Sequence, residues 1–131
     1  MRNLAVLICV LLFTATSHAR WFETTDVEKG SSLYADNCAS CHGANAEGDK
    51  HWPMPTSKGH YPAPPLNGMA HTWHHPLRQL VATVSFGNGA MPGFHHQLTT
   101  QQILDILAYV QSRWPDEIYA DWSKMNQRHP G

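Results

Sequence analysis

The sequence predicts an all-α fold. Apolar residues recur at helical spacing in several separate segments, and no stretch alternates as a half-buried strand would. Helix-start signatures stand ahead of the periodic segments. With 131 residues the chain holds one domain rather than two.

Taken in chain order, the first element is a leader. Residues 1–19 begin with a basic Arg2, continue through an apolar run from Leu4 to Phe13, and end in Ser17-His18-Ala19. This order of charged, apolar and small residues is that of an export signal, with cleavage expected near Ala19. The apolar run is shorter than the roughly 20 residues needed to span a bilayer, so no stable membrane insertion is expected once the leader is removed. The domain proper is then 20–131.

Thr25 and Glu28 have the spacing of a capping box, so a helix is expected from near Asp26 to about Cys38. Val27, Gly30, Leu33, Tyr34 and Asn37 share one face of it. From Gly43 to Gly68 the chain reads as loop, because Pro53, Pro55, Pro62, Pro64 and Pro65 forbid a long helix. Pro76 suits the first turn of a second helix through Leu77, Leu80, Val81 and Val84, ended by Gly87-Asn88-Gly89. Thr99 and Gln102 form another capping box, followed by a broad stripe of Ile103, Leu104, Ile106, Leu107, Val110 and Trp114. Pro115 interrupts that helix. A C-terminal tail, 116–131, holds a short helix at about 116–127 that carries Ile118, Tyr119, Trp122 and Met125.

Composition narrows the function. Nine Lys and Arg face ten Asp and Glu, a balance that excludes a nucleic-acid binder, which carries a basic surplus. Three cysteines exclude a disulfide-dense scaffold, and Cys9 leaves with the leader. Ten histidines outnumber all Lys and Arg together. A chain this small needs a cofactor to supply any demanding chemistry.

Cys38-Ala39-Ser40-Cys41-His42 is C-x-x-C-H, the attachment signature of one c-type haem. Two thiols three positions apart reach the two vinyl groups of one porphyrin, and the adjacent His42 is aimed at the iron. A thioredoxin-like dithiol would need a βαβ context, which the pattern lacks. A Cys2His2 zinc site would need two further ligands at regular spacing, which no histidine here has.

At these residues the chain resembles the class I c-type cytochromes. Gly30-x-x-x-Tyr34-x-x-x-Cys38 resembles the family's first helix, and Asp105-Ile106-Leu107-Ala108-Tyr109-Val110 resembles the part of the last helix that crosses it. Pro64-Pro65-Leu66-Asn67-Gly68 resembles the family's Pro-x-Leu-x-Gly segment, with Ala63 where the family usually has glycine. The resemblance implies a small helical fold around one covalently bound haem c. It implies thioethers to Cys38 and Cys41, axial ligation by His42, and a Pro64 carbonyl that accepts from His42 Nδ1 and leaves Nε2 for iron.

A low-spin carrier needs a sixth ligand, and a thioether suits ferrous iron. Met54 sits in a Trp-Pro-Met-Pro loop, Met69 follows the Pro64–Gly68 segment, and Met125 lies in the tail. Met91 sits in Gly89-Ala90-Met91-Pro92-Gly93, between the second and last core helices. The family's distal methionine occupies this kind of Met-Pro loop, so the resemblance implies Met91, with Met54 the nearest competitor. Core filling is the expected role of Met69 and Met125, and Trp52, Trp73 and Trp114 are also expected in the core.

The expected function is single-electron transfer in the periplasm, without catalysis, between a donor and an acceptor that are redox proteins. A haem-based sensor or a peroxidase-like protein is the alternative, and it needs an open sixth position. A third reading is a histidine-rich metal-handling protein. The pairs His74-His75 and His95-His96 offer imidazoles that suit copper or zinc, whereas the plainer role is surface or loop histidine.

Overall fold

The computed structural model describes residues 19–129, so most of the leader lies outside the described residues. The described residues are helical. α1 spans Thr24–Asn37, α2 Ala39–His42, a 3-10 turn His71–His74, α3 Leu77–Phe86, α4 Thr100–Ser112 and α5 Asp116–Arg128. One isolated bridge, Asn88 to Met91, is the extended pairing present among them.

The start of α1 differs from expectation. Its cap is Glu23, whose backbone N–H donates to Asp26 Oδ2 at 2.9 Å, and Thr25 falls inside the first turn. Asp26 is short enough to reach back to the cap, so the reciprocal bond forms two residues earlier than the Thr25–Glu28 pattern predicts. At the other end the backbone leaves the helix at Cys38 (φ −121°, ψ −35°) and re-enters it as α2. Gly43 then stops the turn with φ +82°. The start of α4 is as the sequence predicts: Thr99 accepts from Gln102 N at 3.2 Å, and Thr99 N donates to Gln102 Oε1 at 2.9 Å.

The core sits where α1 crosses α4. A side chain at Gly30 would run into the backbone carbonyl of Asp105, so only glycine permits this approach. One turn on, Tyr34 lies against Tyr109 at 5.0 Å between ring centroids, and its hydroxyl donates to the Gly43 carbonyl at 2.8 Å. Burial pushes the Tyr34 phenol well above its ordinary range, so it stays a neutral donor. Ile103, Ile106, Leu107 and Val110 fill the α4 side of the crossing. Gly30→Ala therefore forces the two helix backbones apart. It should destabilise the haem-loaded protein by about 2–3 kcal/mol, read by denaturant unfolding.

α5 covers the span expected of it with one residue more, 13 in all. Tyr119 and Trp122 bury against Trp114, with Trp114 and Trp122 at 5.8 Å edge to face. The Trp122 indole donates to the His75 carbonyl at 2.9 Å, and Asn126 Oδ1 accepts from Leu77 N at 2.8 Å. Thus α5 holds the entry to α3. Its N-terminal end is held in turn by Arg20, whose guanidinium lies 4.2 Å over the Tyr119 ring and pairs with Asp116 at 2.8 Å. Pro76 is the N-cap of α3 rather than its first residue, and Gly87 ends that helix with φ +81°.

Two side chains depart from the core role expected of them. Met69 is 81% exposed, because it follows Gly68 (φ +92°) onto a segment that turns outward. Trp52 is only half-buried and stacks on His71. Trp114 and Met125 do pack in or against the core.

Candidate haem site

Cys38 and Cys41 stand one helical turn apart, on either side of the break between α1 and α2. Both thiols are free rather than joined to each other. Cys41 is exposed and Cys38 half-buried. Burial pushes the Cys38 thiol up to about 11, and the neighbouring Cys41 adds to the rise. His42 closes the turn and is buried.

The imidazole of His42 is oriented from below. Its Nδ1 donates to the Pro64 carbonyl at 2.9 Å, which fixes the tautomer and leaves Nε2 as the lone-pair nitrogen. Burial lowers the His42 pKa, while the bond to Pro64 opposes that shift. The neutral ring is the form that ligates a metal.

Pro64 belongs to a rail whose carbonyls are each anchored. Ala63 O accepts from Asp49 N at 2.9 Å, and Pro64 O accepts from His42. Pro65 O accepts from the Thr72 hydroxyl at 3.2 Å, and Leu66 O accepts from the Trp114 indole at 2.7 Å. On the reverse edge Leu66 N donates to Ala46 O at 2.8 Å. Two consecutive prolines fix φ and remove two donors, so at Pro64 and Pro65 the rail presents acceptors only. Thr72 and Trp114 were not legible as supports of this site, since their targets are backbone atoms remote in sequence.

These anchors differ in what they do for His42. In Trp114→Phe the ring body remains and the buried Leu66 carbonyl loses its donor, at a cost of about 1–3 kcal/mol. The His42 Nδ1 proton should then exchange faster with solvent, as read by NMR. Trp122→Phe strips the His75 carbonyl by the same chemistry, and should lower stability without changing that exchange.

Met91 is half-buried on a tight turn at the end of α3. Asn88 N donates to Met91 O at 3.1 Å and Met91 N to Asn88 O at 3.0 Å. The chain is then stapled back onto α3 by Phe94 N to Val84 O at 3.0 Å and His95 N to Ser85 O at 3.1 Å. Gly87 lies under the Met91 carbonyl with no room for a side chain. Met54, by contrast, is 64% exposed on the proline-rich loop.

The donor set suits a covalently held haem. Two unpaired thiols one turn apart and a neutral imidazole with one nitrogen already committed are what its attachment and one iron bond would use, and Met91 offers a thioether on a stapled turn. The histidine pairs offer less. His95 Nδ1 bonds the Ser85 carbonyl at 2.9 Å, and among the described residues no three His, Cys, Asp or Glu side chains converge to hold a metal ion.

Residues 25–110 match the family model described as cytochrome c oxidase, cbb3-type, subunit III. The chain belongs to this family of class I c-type cytochromes. Cytochrome c6 from Synechocystis sp. is 32% identical over 87 residues, covering 65% of this chain and 63% of the relative. The cbb3-type cytochrome c oxidase subunit CcoP from Azospirillum brasilense is 34% identical over 86 residues, covering 65% of this chain and 28% of the relative. Thiosulfate dehydrogenase from Stutzerimonas stutzeri is 30% identical over 89 residues, covering 66% and 27%. The chain thus spans less than two thirds of each of these relatives. No solved structure matches it significantly. Membership in the family implies one covalently bound haem c and an electron-carrying role.

Proposed function

We propose that this cytochrome is an exported single-electron carrier of the periplasm, with its domain at 20–131. Its haem is bound through Cys38 and Cys41 and ligated by His42 and Met91. The bound group supplies the redox couple, ferric to ferrous, and everything else is the work of this chain's residues. The single observation that supports the reading most is the 2.9 Å bond from His42 Nδ1 to Pro64, on a rail held at four successive carbonyls. Such a support holds the axial imidazole in one orientation through both oxidation states, which keeps reorganisation small. Met91, on a turn tied to α3, would offer a soft thioether ligand that favours the reduced form. No helix among the described residues is long and apolar enough to cross a membrane.

The test is the spectrum of the ferric protein. Met–Fe ligation gives its own weak long-wavelength band, and reduction should be reversible and involve one electron. A high-spin ferric spectrum that binds small ligands readily would instead favour the sensor or peroxidase-like reading. The likeness to thiosulfate dehydrogenase supports a second reading, a catalytic haem. Reduction of the ferric protein by thiosulfate, followed by turnover with an added acceptor, would establish it.

A further inference from the structure

Charge is spread unevenly along the chain. From residue 50 to residue 104 there is no Asp or Glu, although the chain has ten. The same span holds Lys50, Lys58 and Arg78, together with seven of the ten histidines.

The first part of this span is one continuous surface. The loop 49–63 is closed at its neck by Asp49 N to Ala63 O at 2.9 Å. At its base Trp52 meets Tyr61 at 5.9 Å and stacks on His71 of the 3-10 turn at 5.8 Å, and His71 meets His75 at 5.7 Å. Loop and turn therefore pack together. Lys58, His60 and His74 are exposed on them. So are Met54 at 64% and Tyr61 at 59%, and Met69, just ahead of the turn in sequence, is 81% exposed; these are three of the five large apolar side chains exposed among the described residues. Methionine and aromatic residues with few charges mark the centre of protein interfaces.

Most of the neighbouring acids are already bonded. Asp49, at the neck, is bonded by His51 through its backbone N–H at 2.7 Å and its ring at 3.0 Å. α5, which packs on the 3-10 turn, carries Asp116, paired with Arg20 at 2.8 Å, Asp121, paired with Lys124 at 3.2 Å, and Glu117 in its first turn.

We propose that the loop 49–63 and the 3-10 turn His71–His74 form a docking surface for the acidic face of a protein redox partner, and that docking tightens in mild acid. This rests on the electron-carrier reading. Imidazole is the ordinary side chain that gains charge between pH 8 and 5, and the one carboxylate on this surface, Asp49, is already bonded by His51, so mild acid adds positive charge here. An acidic partner meets complementary potential there. An anionic membrane is the poorer match, because lipid recognition uses clusters of about 4–8 Lys and Arg. This surface has Lys50 and Lys58.

The test uses the haem-loaded protein and an immobilised polyglutamate film at low salt. Binding should be at least about threefold tighter at about pH 5.5 than at about pH 8. Lys58→Glu and Lys29→Glu change net charge equally, one on the loop and one on α1. Lys58→Glu should weaken binding at least about threefold, and Lys29→Glu by less than half as much. His60→Gln with His74→Gln should reduce the pH effect and leave binding at about pH 8 unchanged. Equal losses in the two Lys variants, or an undiminished pH effect in the double His variant, would overturn the proposal. Displacement from the film by phosphatidylglycerol vesicles would overturn it in favour of a membrane. Reversible one-electron reduction is recorded on the same sample, so a docking failure is separable from failure of the carrier reading.

Discussion

Met91→Ala should leave the haem attached and empty its sixth position. Attachment depends on Cys38 and Cys41, and the proximal imidazole on the Pro64 rail, and the substitution touches neither. The turn itself is held by backbone bonds between Asn88 and Met91 and by the staples to Val84 and Ser85, all of which alanine keeps. The change is therefore one of ligation rather than folding. The ferric iron should become high-spin or take up water, and carbon monoxide should bind the ferrous form. Axial ligands set haem potentials across about 0.8 V, so losing the soft thioether should lower the potential, on the order of 0.2 V. Met54→Ala, on an exposed loop, should change neither spectrum nor potential. His95 could capture the open position only by giving up or turning about its bond to the Ser85 carbonyl, and a low-spin spectrum at lower potential would then follow. Loss of the wild-type spectrum in the Met54 variant, with retention in the Met91 variant, would reassign the ligand and the distal loop together.

The legible features were the local ones. Thr99 and Gln102 name the start of α4 because the capping box needs only residues three apart. The apolar stripe of α4 needs only its period, and Gly30 and Tyr34 mark the crossing because a close approach requires a missing side chain. Local rules also misled. Thr25 is a commoner cap than Glu23, yet Asp26 gives Glu23 the reciprocal bond, and the helix starts there. α5 showed its apolar residues and its span, but not the tertiary partners that hold it: Trp122 to His75, Asn126 to Leu77 and Arg20 over Tyr119. Around the site, His42 was visible in its motif. The donors that steady its support were not, because Thr72 and Trp114 act on backbone carbonyls, which carry no sequence signal.

Removing the thioether anchors should unfold most of the chain. In Cys38→Ala with Cys41→Ala, His42 keeps its place in sequence but the haem is no longer tethered. The helical core that remains is the α1–α4 crossing with α5 laid against it. Between Gly43 and Pro76 the one helical element is the four-residue turn His71–His74, which cannot persist alone. Leu80 is the one apolar side chain of α3 buried in the core, while Leu66, Trp73, Leu77, Val81, Val84 and Phe94 are only partly buried against it, so α3 and the rail gain little from protein contacts. A flat apolar ligand bound only by the native state stabilises that state by mass action, and a covalent tether keeps its local concentration high. Without it, the entropy of ordering the proline-rich half exceeds what the crossing supplies. Far-UV circular dichroism of the double variant should therefore show most of the helix signal gone, with no cooperative thermal transition. A helical apoprotein that melts cooperatively would mean that α1, α4 and α5 suffice as a core, and that the haem is a passenger in the fold rather than its centre.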